Sequence, residues 1–119
     1  YVKSILKVLN KHKTKKIVKG MAHITGGGLL ENIPRILPEG CAVQLERDRW
    51  DAPGIFKIIQ DVGNIDDHEM FHVFNMGIGI VLIVSKSDVE TVLNDLKHAK
   101  EPGIVIGEVT RGDRIVHIV

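Results

Sequence analysis

Apolar residues recur along this chain in two rhythms. Val2, Ile5, Leu6 and Leu9 fall at i, i+3, i+4 and i+7, the spacing of one helical face. Residues 12–16 are polar and break that helix, and 17–25 read as a strand. Three glycines follow at 26–28. Residues 29–37 then have helical spacing, with Pro34 either kinking the helix or opening its second half. Pro38-Glu39-Gly40 stops it, and 42–46 read as a short strand. Pro53 opens a helix with Ile55, Phe56, Ile59 and Val62 on one face and Gly63 at its end. Asp66 and Glu69 have capping-box spacing before a short helix bearing Met70, Phe71 and Phe74. The nearly continuous apolar run 77–84 predicts a buried strand. Ser85 is placed to cap a helix whose face is Val89, Val92, Leu93 and Leu96. Residues 104–110 read as a strand, Gly112-Asp113 as a turn, and 115–119 as a last strand pairing back in a hairpin. Helices and strands in this order predict a mixed β-sheet with helices packed on it, an α+β (α/β layered) fold. No internal linker is visible, so 1–119 is expected to be a single domain.

Composition narrows the class. At 119 residues and 44% hydrophobic content the chain supports a core and is too apolar for disorder. No apolar run approaches the ~20 residues of a membrane span, so no membrane partner is expected. A single cysteine, Cys41, makes no internal disulfide, which suits a reducing compartment and a cytoplasmic location. The chain starts at Tyr1 on a helix without an N-cap, which reads as a piece of a longer protein.

Charge is placed unevenly. Residues 1–30 carry seven lysines and no acid (+7), and 31–119 carry nine Lys or Arg against fifteen acids (−6). No arginine or aromatic stands between those lysines to grip or stack on a strand, so they read as a solvated face and no nucleic-acid partner is expected.

Three constellations carry chemistry. In His23-Ile24-Thr25-Gly26-Gly27-Gly28-Leu29-Leu30-Glu31-Asn32 a strand runs into three glycines and a helix. Glycines let backbone N–H groups approach an anion, and a helix start favours negative charge. His23 and Thr25 share a strand face. The loop is therefore either a phosphate cradle or a glycine-rich turn; it has neither the Walker A nor the dinucleotide spacing. In Phe74-Asn75-Met76-Gly77-Ile78-Gly79 two glycines enter a strand, and Asn75 either bonds a ligand or caps a helix end. His68-Glu69-Met70-Phe71-His72 matches H-E-x-x-H, but Glu69 is engaged by the capping pattern and no third ligand follows at suitable spacing. A small metal-binding or proteolytic module on His68, Glu69 and His72 is the competing reading, and no metal ligand is assigned.

His23-x-Thr25-Gly26-Gly27-Gly28-x-x-Glu31-Asn32-Ile33-Pro34-Arg35, with Glu69-Met70-Phe71-x-x-Phe74-Asn75-Met76-Gly77-Ile78-Gly79 and the closing Ile106-Gly107-Glu108-Val109, resembles the C-terminal domain of the phosphoribosylformylglycinamidine cyclo-ligase (aminoimidazole ribonucleotide synthetase) family. The resemblance covers essentially the whole chain. It implies a partly ferredoxin-like domain of that superfamily, working in purine biosynthesis. It implies an ATP-dependent enzyme that closes the imidazole ring of aminoimidazole ribonucleotide from formylglycinamidine ribonucleotide. ATP activates an amide oxygen, an internal amine attacks, and phosphate leaves. ATP and Mg2+ are implied as cofactors, bound mainly by an N-terminal half that this chain lacks. A homodimer is implied, and the present piece alone is expected to be inactive. Carried over, His23, Thr25, Gly26, Gly27, Gly28 and Asn32 line the substrate-phosphate side of the cleft, with Asn75 and Gly77 nearby; no residue is assigned to the chemistry itself. Selenophosphate synthetase and formylglycinamidine synthetase share the fold but have different glycine signatures, and they rank second.

Overall fold

The chain opens on α1 (Val2–Lys11) in the computed structural model, which describes residues 2–11 and 17–119. In chain order there follow β1 (Val18–His23), α2 (Gly28–Asn32), β2 (Cys41–Leu45), α3 (Gly54–Gly63), α4 (Asp67–Val73), β3 (Ile80–Val84), α5 (Val89–His98), β4 (Gly107–Arg111) and β5 (Val116–Ile118). They fall into two compact units. One takes the described residues up to Met21 with Leu82–Val105, and the other takes Ala22–Val81 with Ile106–Val119. Strands β1 and β3 pair in a two-stranded sheet. The break expected at 12–16 lies outside the described residues, as do Lys13, Lys15 and Lys16.

In the first unit, Val8 of α1 packs with Ile17, Val18, Val92 and Leu96, with Ile5, Leu9, Leu82 and Val84 beside them. The buried face of α1 is therefore rotated from the expected one: Ser4 and Val8 are buried, while Val2 and Leu6 are exposed. The Ser4 hydroxyl donates to the Ala99 carbonyl at 3.4 Å, at the end of α5, which turns this side of α1 inward. Lys11 Nζ meets the buried Asp95 carboxylate at 2.6 Å, which offsets the cost of burying that charge. The face expected for α5 holds, with Val92 and Leu96 buried and Val89 and Leu93 half-buried. The expected Ser85 cap does not form. A 3-10 turn at Lys86–Asp88 intervenes, and the Ser85 side chain makes no capping bond.

The second unit holds a three-stranded sheet in the order β4-β2-β5. Here the predicted closing hairpin is corrected. β2 lies between the last two strands, antiparallel to β4 (Val43 opposite Val109) and parallel to β5 (Val43 opposite Val116). The connecting segment wraps the start of β2, with Gly112 N–H donating to Gly40 and Arg114 N–H to Cys41. The physical reason is burial. Ala42, Val43 and Leu45 are all buried, and a strand buried on both faces belongs at the centre of a sheet rather than at an edge.

Two further expectations change. Every residue of β3 is half-buried rather than buried, and Gly77 lies in the turn before it. No residue of α3 is buried. Phe56 packs on Phe74 (ring centroids 5.7 Å apart) with Ile59 half-buried, while Ile55, Ile58 and Val62 are exposed. Helix α3 ends through a left-handed Asn64 whose N–H bonds Gln60, so Gly63 is its last residue rather than its stop. Helices with a mixed sheet make the fold α+β, as the order of elements predicts. Among the described residues no helix is long and apolar enough to cross a membrane.

Candidate functional site

β1 delivers the chain to the first glycine motif. Just past its end, Ile24 N–H donates to Gly79 at 2.9 Å, and Gly28 N–H closes a turn onto the Thr25 carbonyl at 3.0 Å. Gly27 and Gly28 have φ of 96° and 63°, left-handed values that side chains with a Cβ adopt at a cost. The helix begun there is one turn long. Pro34 starts a separate 3-10 turn, as its missing N–H and fixed φ require. Leu29 and Ile33 are fully buried and anchor this segment.

The second motif is set by α4. Asp66 caps it, its Oδ1 accepting the Glu69 N–H at 2.8 Å, and the capping pattern read from sequence is present on that side. After Phe74 the chain turns sharply. The Asn75 carbonyl accepts the Ile78 N–H at 3.0 Å, and the Asn75 side chain accepts the Gly77 N–H at 2.9 Å. Met76 and Gly77 have φ of 53° and 92°, the signature of a primed turn. A methionine pays steric energy for that φ and is held to it here: its side chain is buried, and Trp50 Nε1–H donates to its carbonyl at 3.1 Å. Gly77 lies close against Pro53, where a Cβ would come within 2.6 Å of Cδ.

The fold brings the two motifs together. Gly28 lies directly against the last carbonyls of α4, where a Cβ would clash with the Phe71 oxygen, stand 2.8 Å from that of Phe74 and 3.1 Å from that of His72. Phe71 is buried under Trp50, edge-on at 6.3 Å, and under the Arg47 guanidinium at 5.4 Å. Arg47 in turn meets Asp67 at 3.1 Å. Above the loop, Glu31 Oε1 lies 2.7 Å from His72 Nε2, and Arg35 lies 3.8 Å from the other carboxylate oxygen. The hydrogen bond to Glu31 holds the His72 pKa above the ordinary imidazole value, and the same bond holds Glu31 below the ordinary carboxylate value.

The residues expected at the site fall into two groups. His23, Thr25 and Gly26 are exposed, with Gly27 half-exposed, and they form the accessible rim. Asn32 and Gly28 are buried and build the loop rather than line it: Asn32 bonds three loop carbonyls and the Thr25 hydroxyl. The Asn75 side chain serves its own turn, with Gly77 exposed beside it. His72, the second histidine of H-E-x-x-H, is bonded to Glu31. Among the described residues no three His, Cys, Asp or Glu side chains gather to hold a metal ion. Sequence reasoning quoted Glu31 and Met76 within the motifs without giving them a role, read His72 only as half of a metal motif, and passed over Trp50. The Glu31–Arg35 spacing is a local signal, but Glu31–His72 and Trp50–Met76 join distant positions and leave none.

The model of the family described as AIR synthase related protein, C-terminal domain, matches residues 1–119. Among curated relatives, the phosphoribosylformylglycinamidine cyclo-ligase of Pseudothermotoga lettingae is 48% identical over 118 residues, covering 99% of this chain and 34% of its own length. That of Geotalea daltonii is 51% identical over 113 residues, covering 95% of this chain and 31% of its own. The chain thus spans about a third of the length of these relatives. A chain from the crystal structure of a HypE-HypF complex superposes with a TM-score of 0.75 at 22% identity, covering 98% of this chain and 36% of that one, and so shares the fold. The chain belongs to the AIR synthase related protein family, as its C-terminal domain.

Proposed function

We propose that this chain is the C-terminal domain of an ATP-dependent cyclo-ligase that converts formylglycinamidine ribonucleotide to aminoimidazole ribonucleotide. In this reading its glycine loop meets the phosphate of the ribonucleotide, with His23, Thr25 and Gly26 on the accessible rim. The observation that carries it is the meeting of the two motifs: Ile24 bonded to Gly79, and Gly28 fitted against the end of α4. Two segments about fifty residues apart in sequence, both part of the family resemblance, are thereby held side by side. The packing of Gly28 and the bonds of Asn32 fix that arrangement in advance, and positioning is the main task in phosphoryl-assisted ring closure.

Among the described residues no three His, Cys, Asp or Glu side chains gather to hold a metal ion. ATP and magnesium are assigned to the remainder of the full-length enzyme, which we take to be a cytoplasmic homodimer.

The test is direct. The full-length protein is expected to convert formylglycinamidine ribonucleotide in the presence of ATP and magnesium, and the 119-residue chain alone is expected not to. A full-length protein without that turnover would refute the assignment.

A further inference from the structure

His72 is absent from the residues that the family resemblance marks, yet it makes the contact that joins the two motifs by side chains. Its partner Glu31 folds back over the loop. A Cβ placed on Gly27 would overlap the Glu31 carboxylate and lie 2.7 Å from its Cβ and 2.9 Å from its Cδ. A negative charge therefore stands beside the loop that is read as meeting a phosphate. Left alone, it would repel that phosphate.

We propose that His72 is a positioning residue for the glycine loop: it pins the Glu31 carboxylate over Gly27 and offsets its charge, so that the loop accepts an anionic substrate. This rests on the reading that the loop meets the ribonucleotide phosphate. The charged groups facing the pair are few. From α2 comes Glu31 itself, 2.7 Å from His72 Nε2. From the 3-10 turn after it comes Arg35, 3.8 Å from Glu31. From α4 comes Glu69, 3.9 Å from His72 Nδ1. With His72 protonated these four groups sum to zero charge; with His72 neutral they sum to −1. The neutral ring still donates its Nε2–H to Glu31, so deprotonation keeps the geometry and loses the charge. The raised pKa of His72 extends the charged state toward neutral pH.

Charge and geometry separate by substitution. His72→Gln keeps a donor without charge, and His72→Arg keeps both. The first measurement is an NMR titration of His72 in histidine-labelled full-length protein, wild type and Glu31→Gln. The midpoint is expected above the ordinary imidazole value and is expected to fall back in Glu31→Gln. A midpoint that Glu31→Gln leaves in place overturns the proposal, whatever the activity.

The second measurement is KM for formylglycinamidine ribonucleotide against pH. In the wild type KM is expected to rise about 5-fold as pH passes the His72 midpoint, the scale of an exposed ion pair. His72→Arg is expected to hold KM low across that range, and His72→Gln to hold it high. A wild-type pH profile in either variant overturns the proposal. If the protein lacks cyclo-ligase turnover altogether, the proposed function fails on that result, and the NMR midpoint still decides the role of His72.

Discussion

Asn32 closes the loop that Thr25 opens. Its Oδ1 accepts the Thr25 hydroxyl at 3.1 Å, and its Nδ2 donates to the Gly28 carbonyl at 2.8 Å and to those of Thr25 and Gly26 at 3.3 Å. Asn32 is 6% exposed, so these bonds form where water does not compete well. One side chain thus ties together three carbonyls of the loop, of which that of Thr25 also accepts the Gly28 N–H.

Replacing Asn32 removes those partners. Asn32→Leu is expected to destabilise the fold by about 1–3 kcal/mol, mainly through loss of the buried bond to the Gly28 carbonyl. Asn32→Asp is expected to be worse at neutral pH, because a carboxylate there faces carbonyl oxygens. It is expected to recover in part in acid, where a protonated carboxyl donates. Urea midpoints at two pH values check both statements.

The three glycines are not equivalent. Nothing lies within 4 Å of a Cβ at Gly26, so Gly26→Ala is expected to change stability by less than about 0.5 kcal/mol. Gly27→Ala forces a left-handed φ of 96°, costing about 1–2 kcal/mol, and displaces a side chain, Glu31, that has room to move. Gly28→Ala meets backbone oxygens of Phe71 and Phe74, which move only with α4, so about 1–3 kcal/mol of overpacking adds to the same φ cost. On the proposed reading of the loop as the phosphate site of a cyclo-ligase, Gly27→Ala in the full-length protein is expected to raise the KM for formylglycinamidine ribonucleotide or abolish turnover without unfolding the protein. The ranking is read by denaturation of the three variants, and equal losses at all three positions would contradict it.

Apolar residues in this chain carry very different weights. Leu29→Ala, at a fully buried position, is expected to cost about 2–5 kcal/mol. Ile58→Ala, at an exposed position on α3, is expected to stay within about 0.5 kcal/mol. Both are measured in the same chain by urea unfolding.

Stability should depend on pH through the Glu31–His72 pair. His72 has a raised pKa in the fold, so its contribution is complete below the unfolded imidazole pKa and is lost as pH rises through the folded one. Glu31 has a lowered pKa, so its contribution is complete above the unfolded carboxylate pKa and is lost as pH falls through the folded one. The pair therefore supports the fold best between those two ordinary values, in mildly acidic solution. Asp67, lowered by its bonds to Gln60 and Arg47, adds to the acid-side loss only. In a series of urea midpoints against pH, His72→Gln is expected to flatten the alkaline side relative to wild type. An alkaline decline that persists unchanged in His72→Gln would assign it to another group.

Local signals carried much of the structure. Asp66 capping α4, the break at Pro34, the α5 face and the glycine turn after β1 all depend on bonds or φ values within a few residues, and such patterns are written in consecutive positions. The motifs by which the chain resembles its family are also contiguous, so its membership was readable before any geometry.

What needed the tertiary structure was every choice of partner. The sequence offers Val2, Ile5, Leu6 and Leu9 as a face of α1, and a contact between Ser4 and Ala99 selects a rotated one. It offers two adjacent strands at the end of the chain, and burial of β2 on both faces places it between them. It offers His72 as half of a metal motif, and Glu31, 41 positions earlier, takes its ring nitrogen at 2.7 Å. A periodic pattern states which residues share a face or a turn. Which surface covers that face, and which charge answers a given side chain, depends on segments distant along the chain that meet only once it has folded.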